Sequence, residues 1–245
     1  MRETPSPRYG RLVGTHTIHG HMRIIKAFLH WCVRQDLVSP GLLNKLEMPK
    51  VEQKVIEVFT PQHITALFKA CEEDELPWLV ERNKSILAVL LDTSIRASEL
   101  TDLTLERVHI ALDEAYLVVN GKGRKQREVG LGKKSRSLLH RYIYRYRPNV
   151  QGDSHVFLSK KGHLCAQGVD KLLYRLRDRA GIEGVRCSAH TFRHTMACQY
   201  IEFGGDVMRL SRALGHTSLA VTQEYLKTFS SRQARRGGVS VFDSL

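Results

Sequence analysis

No long hydrophobic run interrupts this 245-residue sequence: the longest apolar stretch, Ile86 to Leu91, falls far short of the roughly 20 residues that cross a bilayer. Met1 to Gly10 carries no apolar core of a secretory signal, so a soluble, intracellular, cytoplasmic protein is expected, with no membrane partner. Cysteine pairs are also missing. Cys32, Cys71, Cys165, Cys187 and Cys198 form an odd set with no two close together, which excludes a zinc-type Cys pair and a redox dithiol and leaves free, mostly buried thiols. No internal repeat or low-complexity tract is visible. Acid is scarce relative to base: 25 Asp plus Glu stand against 38 Lys plus Arg, a net charge of 38 − 25 = +13. Such a surplus favours phosphate-rich polymers through counterion release and steering, with nucleic acid ahead of an anionic membrane surface. The hydrophobic share of 42% and charged share of 26% are those of a globular chain, large enough for one domain or one domain with a small partner.

Helical spacing of Ile18, Met22, Ile25, Phe28, Leu29, Cys32 and Val33 predicts an amphipathic helix over Thr17 to Val33, broken by Ser39-Pro40-Gly41. A polar, basic, proline-containing stretch then reads as a linker, with 1–50 before it as a helical segment, 51–57 as the linker itself and 58–228 as the main domain. Thr60 before Pro61 predicts an N-cap with proline at the first helical position and a helix to about Glu72. Pro77 to Leu91 reads as a buried helix, and Ala97 to Leu103 as a short one after a tight turn at Thr93 to Arg96. Strand-like runs Tyr116 to Val119 and Arg127 to Leu131 flank Gly121-Lys122-Gly123-Arg124, predicting a β-hairpin with a basic tip. A basic helix over Lys133 to Arg147, a short strand at Val156 to Leu158 and a second basic helix over Gly168 to Ala180 follow. Helices continue to Lys227, with breaks at Gly204-Gly205 and at Leu214-Gly215-His216. The fold class expected is mainly α with a small antiparallel β-sheet or hairpin, α+β. Residues 229–245 form a tail, first basic and then apolar at Val239, Val241, Phe242 and Leu245.

Two familiar alternatives fail on composition at the motif level. His190 and His194 stand at i, i+4, but Thr191-Phe192-Arg193 supplies no glutamate between them for a zincin site, and no metal is expected. Gly121-Lys122-Gly123 lacks the spacing of a nucleotide-binding phosphate loop, so no nucleotide cofactor is expected either.

The ordered set of Thr93-Ser94-Ile95-Arg96-Ala97-Ser98-Glu99-Leu100, a hairpin Gly-Lys-Gly, His190-Thr191-Phe192-Arg193-His194, Leu214-Gly215-His216, and Tyr225 nine residues later resembles the catalytic motifs of the tyrosine recombinase, or phage integrase, family. The likeness covers roughly residues 56 to 228. It implies site-specific recombination of double-stranded DNA, by cleavage and rejoining through a 3′-phosphotyrosyl bond that needs neither ATP nor another cofactor. Arg96 and Arg193 would clamp the non-bridging phosphate oxygens, Tyr225 would be the nucleophile, and Lys122 the general acid for the departing 5′-oxygen. His190 would accept or relay the tyrosine proton, His216 would donate to a phosphoryl oxygen, and Glu99 would hold Arg96 or a nearby histidine in place. Lys125, Arg127, Lys133, Lys134 and Arg175 are the candidate DNA-backbone contacts.

The same resemblance implies a homotetramer on two DNA sites, with the C-terminal segment of each protomer docking on its neighbour and accessory directionality or host factors possible. In a prokaryote the enzyme would be nucleoid-associated. Residues 15 to 47 resemble only the end of the family's helical core-binding domain, so the segment 1–50 is expected to be a partial one and DNA binding weaker than in a full-length relative. Ser94 stands where the family's first motif usually has glycine, which predicts local backbone strain and a slightly displaced Arg96. Competing readings are a non-catalytic DNA-binding remnant and, less favoured, a type IB topoisomerase. The resemblance fits integration or excision of a mobile element as well as resolution of replicon multimers.

Overall fold

The computed structural model describes residues 13–44, 46–50, 57–111, 113–121, 126–215 and 222, which belong to two compact units, Met1–Lys54 and Val55–Leu245. None of the helices among them is long and apolar enough to cross a membrane.

In the first unit α1 spans Thr15–Arg34 and α2 spans Gly41–Asn44. The amphipathic spacing produces the helix, but only Ile18 and Cys32 of the predicted apolar face are buried; Ile25 and Phe28 stay exposed, as do Ile24 and Trp31. The reason is area: within this unit a helix of twenty residues meets a helix of four, too little surface to cover a full stripe. Phe28 and Trp31 stack on each other at 6.0 Å instead.

The second unit is Val55–Leu245, and its first described helix follows Thr60. Thr60 caps α3 (Pro61–Ala70): its hydroxyl accepts from the His63 backbone N–H, and Pro61 occupies the first turn, where a missing N–H costs nothing. A 3₁₀ turn, Cys71–Glu73, leads to α4 (Pro77–Thr93), the central helix of the unit, which packs against later helices on several sides. Leu79, Ile86, Leu87, Val89 and Leu90 enter the core. Its buried polar groups are satisfied one by one: the Arg82 guanidinium donates to the Leu158 carbonyl at 2.6 Å and to Asn83 Oδ1, and Asn83 Nδ2 donates to Asp74 at 2.6 Å.

After the short α5 (Ala97–Thr101) come β1 (Val108–Ile110), β2 (Ala115–Asn120) and β3 (Gln126–Gly130), an antiparallel sheet in the order β1-β2-β3. The hairpin β2–β3 lies where the sequence puts it, with Asn120 opposite Gln126 at the last pair before the tip. β1 is an addition that sequence patterning does not reveal, because three residues are too few to show a period of two. α6 (Lys133–Arg141) passes into a π-helical turn, Tyr142–Tyr146, so the single basic helix expected over Lys133 to Arg147 is two helical types in series. The buried Tyr142 ring stacks on Phe157 there at 5.8 Å. β4 (Leu158–Ser159) and β5 (Gly162–His163) form a second small hairpin, followed by α7 (Ala166–Arg179), α8 (Ala189–Glu202) and α9 (Val207–Leu214). The architecture is mostly helical with small antiparallel sheets, as the patterning predicts.

Ser94 ends α4 in the left-handed region, at φ 55° and ψ 22°, and its buried hydroxyl oxygen has no hydrogen-bond partner among the described residues. An L side chain in that region costs on the order of 1 kcal/mol, and an unpaired buried hydroxyl adds to it. The strain expected from serine in place of glycine is therefore present. Ser94→Gly should raise stability by about 1 kcal/mol after the entropy of the freer unfolded chain is subtracted, read as a higher urea midpoint at unchanged slope. An unchanged or lower midpoint would show that the turn carries no strain.

Candidate active site

The turn that Ser94 closes puts Arg96 at the N-cap of α5, with 44% of its side chain exposed. One turn later Glu99 is buried, and its carboxylate joins the start of α5 to β3. It accepts from the Arg96 backbone N–H at 2.8 Å and from Arg96 Nη1 at 2.8 Å. It also accepts both terminal nitrogens of Arg127, at 2.9 and 2.8 Å, a two-point pairing of guanidinium and carboxylate. Arg127 Nε reaches on to the Ala213 carbonyl at 3.2 Å, near the end of α9. Burial alone would raise the Glu99 pKa; the hydrogen bonds from Arg127 and Arg96 and the charge of Arg127 outweigh it and hold the carboxyl at about 2.

Sequence reasoning places Arg127 among the DNA-contacting cations. In the structure its side chain is 16% exposed, and its guanidinium pairs with Glu99 and the Ala213 carbonyl, which makes it a group that positions the site. The clue was available in the strand period. Arg127 and Val129 share one face of β3, and Val129 is buried, while Gln126, Glu128 and Gly130 face out. Arg175, another expected DNA contact, ion-pairs with Asp74 at 3.1 Å, alongside Arg179, which also reaches Asp74 at 3.1 Å. Lys133 and Lys134 are exposed at the start of α6, with no acid in that first turn. The helix dipole disfavours cations at this end, so helix stability does not explain their place.

α8 carries the second motif. Ser188 caps it, its hydroxyl accepting from the Thr191 backbone N–H. Arg193 is buried, and its guanidinium bridges two other motifs: Nη1 donates to the Ser94 carbonyl at 2.8 Å and Nη2 donates to the Leu214 carbonyl. His190, three residues earlier on the same helical face, retains solvent access; partial desolvation together with the charges of Arg193 and Arg186 lowers its pKa, so it is neutral at pH 7. Gly215 caps α9 at φ 63°, a conformation that favours glycine, and a Cβ built there would lie 3.3 Å from the Arg127 guanidinium. That absence of a side chain is what lets Arg127 approach the turn before His216.

His194 is buried beside this network, and burial with the neighbouring His190 lowers its pKa to about 4. Unfolded, it titrates near 6.5. The stability it contributes is complete above pH 6.5 and is lost as pH falls from 6.5 through 4, about 3 kcal/mol in all; Glu99 adds a second loss between its ordinary 4.5 and about 2. Urea midpoints followed from pH 7 to pH 4 should fall, and His194→Gln should flatten the upper part of the curve. A flat wild-type profile would contradict a neutral buried His194.

Among the expected site residues, Arg96, Glu99, His190 and Arg193 are thus described, in one neighbourhood. Lys122, Lys125, His216 and Tyr225 lie outside the described residues, as does the tail 229–245.

Residues 57–232 match the phage integrase family over most of the chain. The chain belongs to that family, the tyrosine recombinases. It is 30% identical over 221 residues to tyrosine recombinase XerC of Anoxybacillus flavithermus, a match spanning 88% of this chain and 72% of the relative. With tyrosine recombinase XerD of Oceanobacillus iheyensis it shares 29% identity over 223 residues, 89% of this chain and 73% of that protein. Among solved structures, that of XerA recombinase superposes with a TM-score of 0.63 at 25% identity, covering 86% of this chain and 74% of the other. The Tn1549 transposon integrase in complex with a circular intermediate DNA superposes with a TM-score of 0.68 at 17% identity over 91% of this chain and 80% of that one, a likeness of fold. As a tyrosine recombinase, the chain is an enzyme of DNA strand breaking and rejoining.

Proposed function

We propose that this tyrosine recombinase performs site-specific recombination on double-stranded DNA, with Tyr225 as nucleophile and a 3′-phosphotyrosyl intermediate. The observation that carries the reading is the lacing together of three motifs: Arg193 binds the backbone on either side of the site, at Ser94 and Leu214, and Glu99 joins Arg96 to Arg127. In the proposed step the Tyr225 oxygen attacks phosphorus and the bond from phosphorus to the 5′-oxygen breaks. The phenolic proton passes to a base, and Lys122 supplies the proton that the departing oxygen needs. His190 suits the accepting role because it is neutral at pH 7. Arg96 spends one Nη1 donor on Glu99 and keeps others for a non-bridging oxygen, the group on which charge builds; Arg193 and His216 complete the electrostatic clamp.

Lys125, which precedes β3 in the sequence, and Lys133 and Lys134 on α6 are proposed to hold the DNA backbone, each weakening binding uniformly across sequences when neutralised. Segment 1–50 serves as a core-binding segment, and four protomers assemble on two sites through docking of residues 229–245. Sedimentation of the DNA complex reads that stoichiometry directly, and a monomer on each site would remove it. Whether the reaction serves a mobile element or multimer resolution follows from the target DNA. The test of the function is covalent trapping: nicked duplexes drawn from DNA flanking the gene are incubated with the protein in EDTA, denatured and scored for adduct. DNA binding without any adduct, on duplexes that a full-length relative does cleave, would favour a non-catalytic remnant.

A further inference from the structure

Away from this site, the connection between the π-helical turn and α7 brings one carboxylate and two imidazoles together. Asp153 and His155 lie on the turn that precedes β4, and His163 ends β5. One ligand atom from each lies within 4.8 Å of the others, and it is the one such grouping of three among the described residues. Asp153 Oδ1 sits 2.7 Å from His155 Nδ1, and the His155 and His163 rings stack at 4.8 Å with 26° between their planes.

The backbone under the three side chains is held firmly. Arg147 Nη2 donates to the carbonyls of Asp153 at 2.8 Å and His155 at 2.7 Å, and its Nε donates to His155 at 3.0 Å. His155 also bridges to Thr104, and His163 pairs with Leu158 across the β4–β5 hairpin. Such a scaffold lowers the ordering cost of binding, because the ligand-bearing residues are already placed. Asp153 and His155 are only 17% and 34% exposed, while His163 is open to solvent, so an ion has an entry path and a partly desolvated seat.

From this grouping we propose that Asp153, His155 and His163 form a binding site for a divalent transition metal of the zinc class, closing the turn onto the β5 edge. Two imidazole nitrogens and one carboxylate oxygen are the donor set that Zn²⁺ takes, with water in the fourth position. Ligand atoms around a tetrahedral zinc stand about 3.4 Å apart, so closure asks the exposed His163 ring to approach by up to about 1.4 Å and the Asp153–His155 pair to open by about 0.7 Å. The ion takes the place of the proton between His155 Nδ1 and Asp153 Oδ1, and the imidazole carries its proton on Nε2 instead, so a neutral ring releases none. The site is structural, a clasp between two segments, and it takes no part in strand cleavage.

Isothermal titration of the metal-stripped, untagged full chain with ZnCl₂ should give one equivalent of binding at this site, and Co²⁺ should give the visible absorption of a low-coordinate complex. His163→Gln, on an exposed hairpin where folding tolerates it, and Asp153→Asn should each weaken zinc binding at least about 10-fold. His16→Gln with His19→Gln, on α1, should leave this equivalent intact. Zinc should raise the melting temperature of wild type and not of His155→Gln with His163→Gln. No stoichiometric binding, or binding that survives the double substitution unchanged, would overturn the proposal. DNA adduct formation in EDTA is expected to persist either way, which separates this site's failure from that of the recombinase reading.

Discussion

Tyr225→Phe should form no covalent adduct with any duplex that wild type cleaves, while binding that DNA with wild-type affinity. The loss is complete because phenylalanine has no oxygen to bond to phosphorus, whereas a missing positioning contact only slows a reaction. The chain contains eight tyrosines, so the assignment needs a contrast. Tyr142 supplies one: it is buried against Phe157, and its hydroxyl only accepts from the Leu158 backbone N–H at 3.4 Å. Tyr142→Phe should keep adduct formation within about twofold, since one modest hydrogen bond is lost and the ring stays in place. An adduct surviving in Tyr225→Phe would move the nucleophile elsewhere, and the peptide carrying the nucleotide would identify it.

Arg127→Ala is the second large effect expected, and it acts on both stability and chemistry. Glu99 is buried and ionised, with two of its hydrogen bonds coming from Arg127. Removing one partner of such a pair leaves an undercompensated carboxylate and costs about 3 kcal/mol. Arg96 is then the only remaining described cation on Glu99, drawn toward it at the expense of an incoming phosphate. The Ala213 carbonyl also loses its donor, loosening the turn that precedes His216. Adduct formation should fall by about 100-fold, the scale set by small misplacements of clamping groups.

Three further variants separate these contributions. Arg127→Lys restores charge without the two-point fork and should recover part of the stability and little of the rate. Glu99→Gln combined with Arg127→Ala should cost less than the two single changes added together, because the uncompensated charge disappears with its carboxylate. Strict additivity would show that the pair is uncoupled. Gly215→Ala should resemble a weaker Arg127→Ala, since its Cβ must push the same guanidinium aside.

Much of this architecture is legible in the sequence. The apolar spacing of α4, the Thr60-Pro61 start of α3 and the paired strands around Gly121-Lys122-Gly123 follow from local rules of burial, capping and turn chemistry. So does the cost at Ser94, because the family's first motif has glycine there and a helix that closes through a left-handed residue does so without strain only on glycine. Where a side chain goes when its partner is far along the chain is another matter. In the sequence Arg127 is a cation on a basic hairpin, and only the packing of β3 beside α5 and α9 turns it inward. Arg175 belongs to a basic helix in the sequence, and Asp74, 101 residues earlier, pairs with it.

The sequence by itself determined the family's residues in their order, the helical class and the positive charge that suits a phosphate polymer, because each depends on residue type and short spacing. Only the tertiary structure decided that Arg193 ties Ser94 to Leu214, that Glu99 is shared between two arginines, and that Asp153, His155 and His163 meet. Those pairings join residues brought together by the packing of distant elements, and a local pattern carries no information about which distant side chain will satisfy a buried charge.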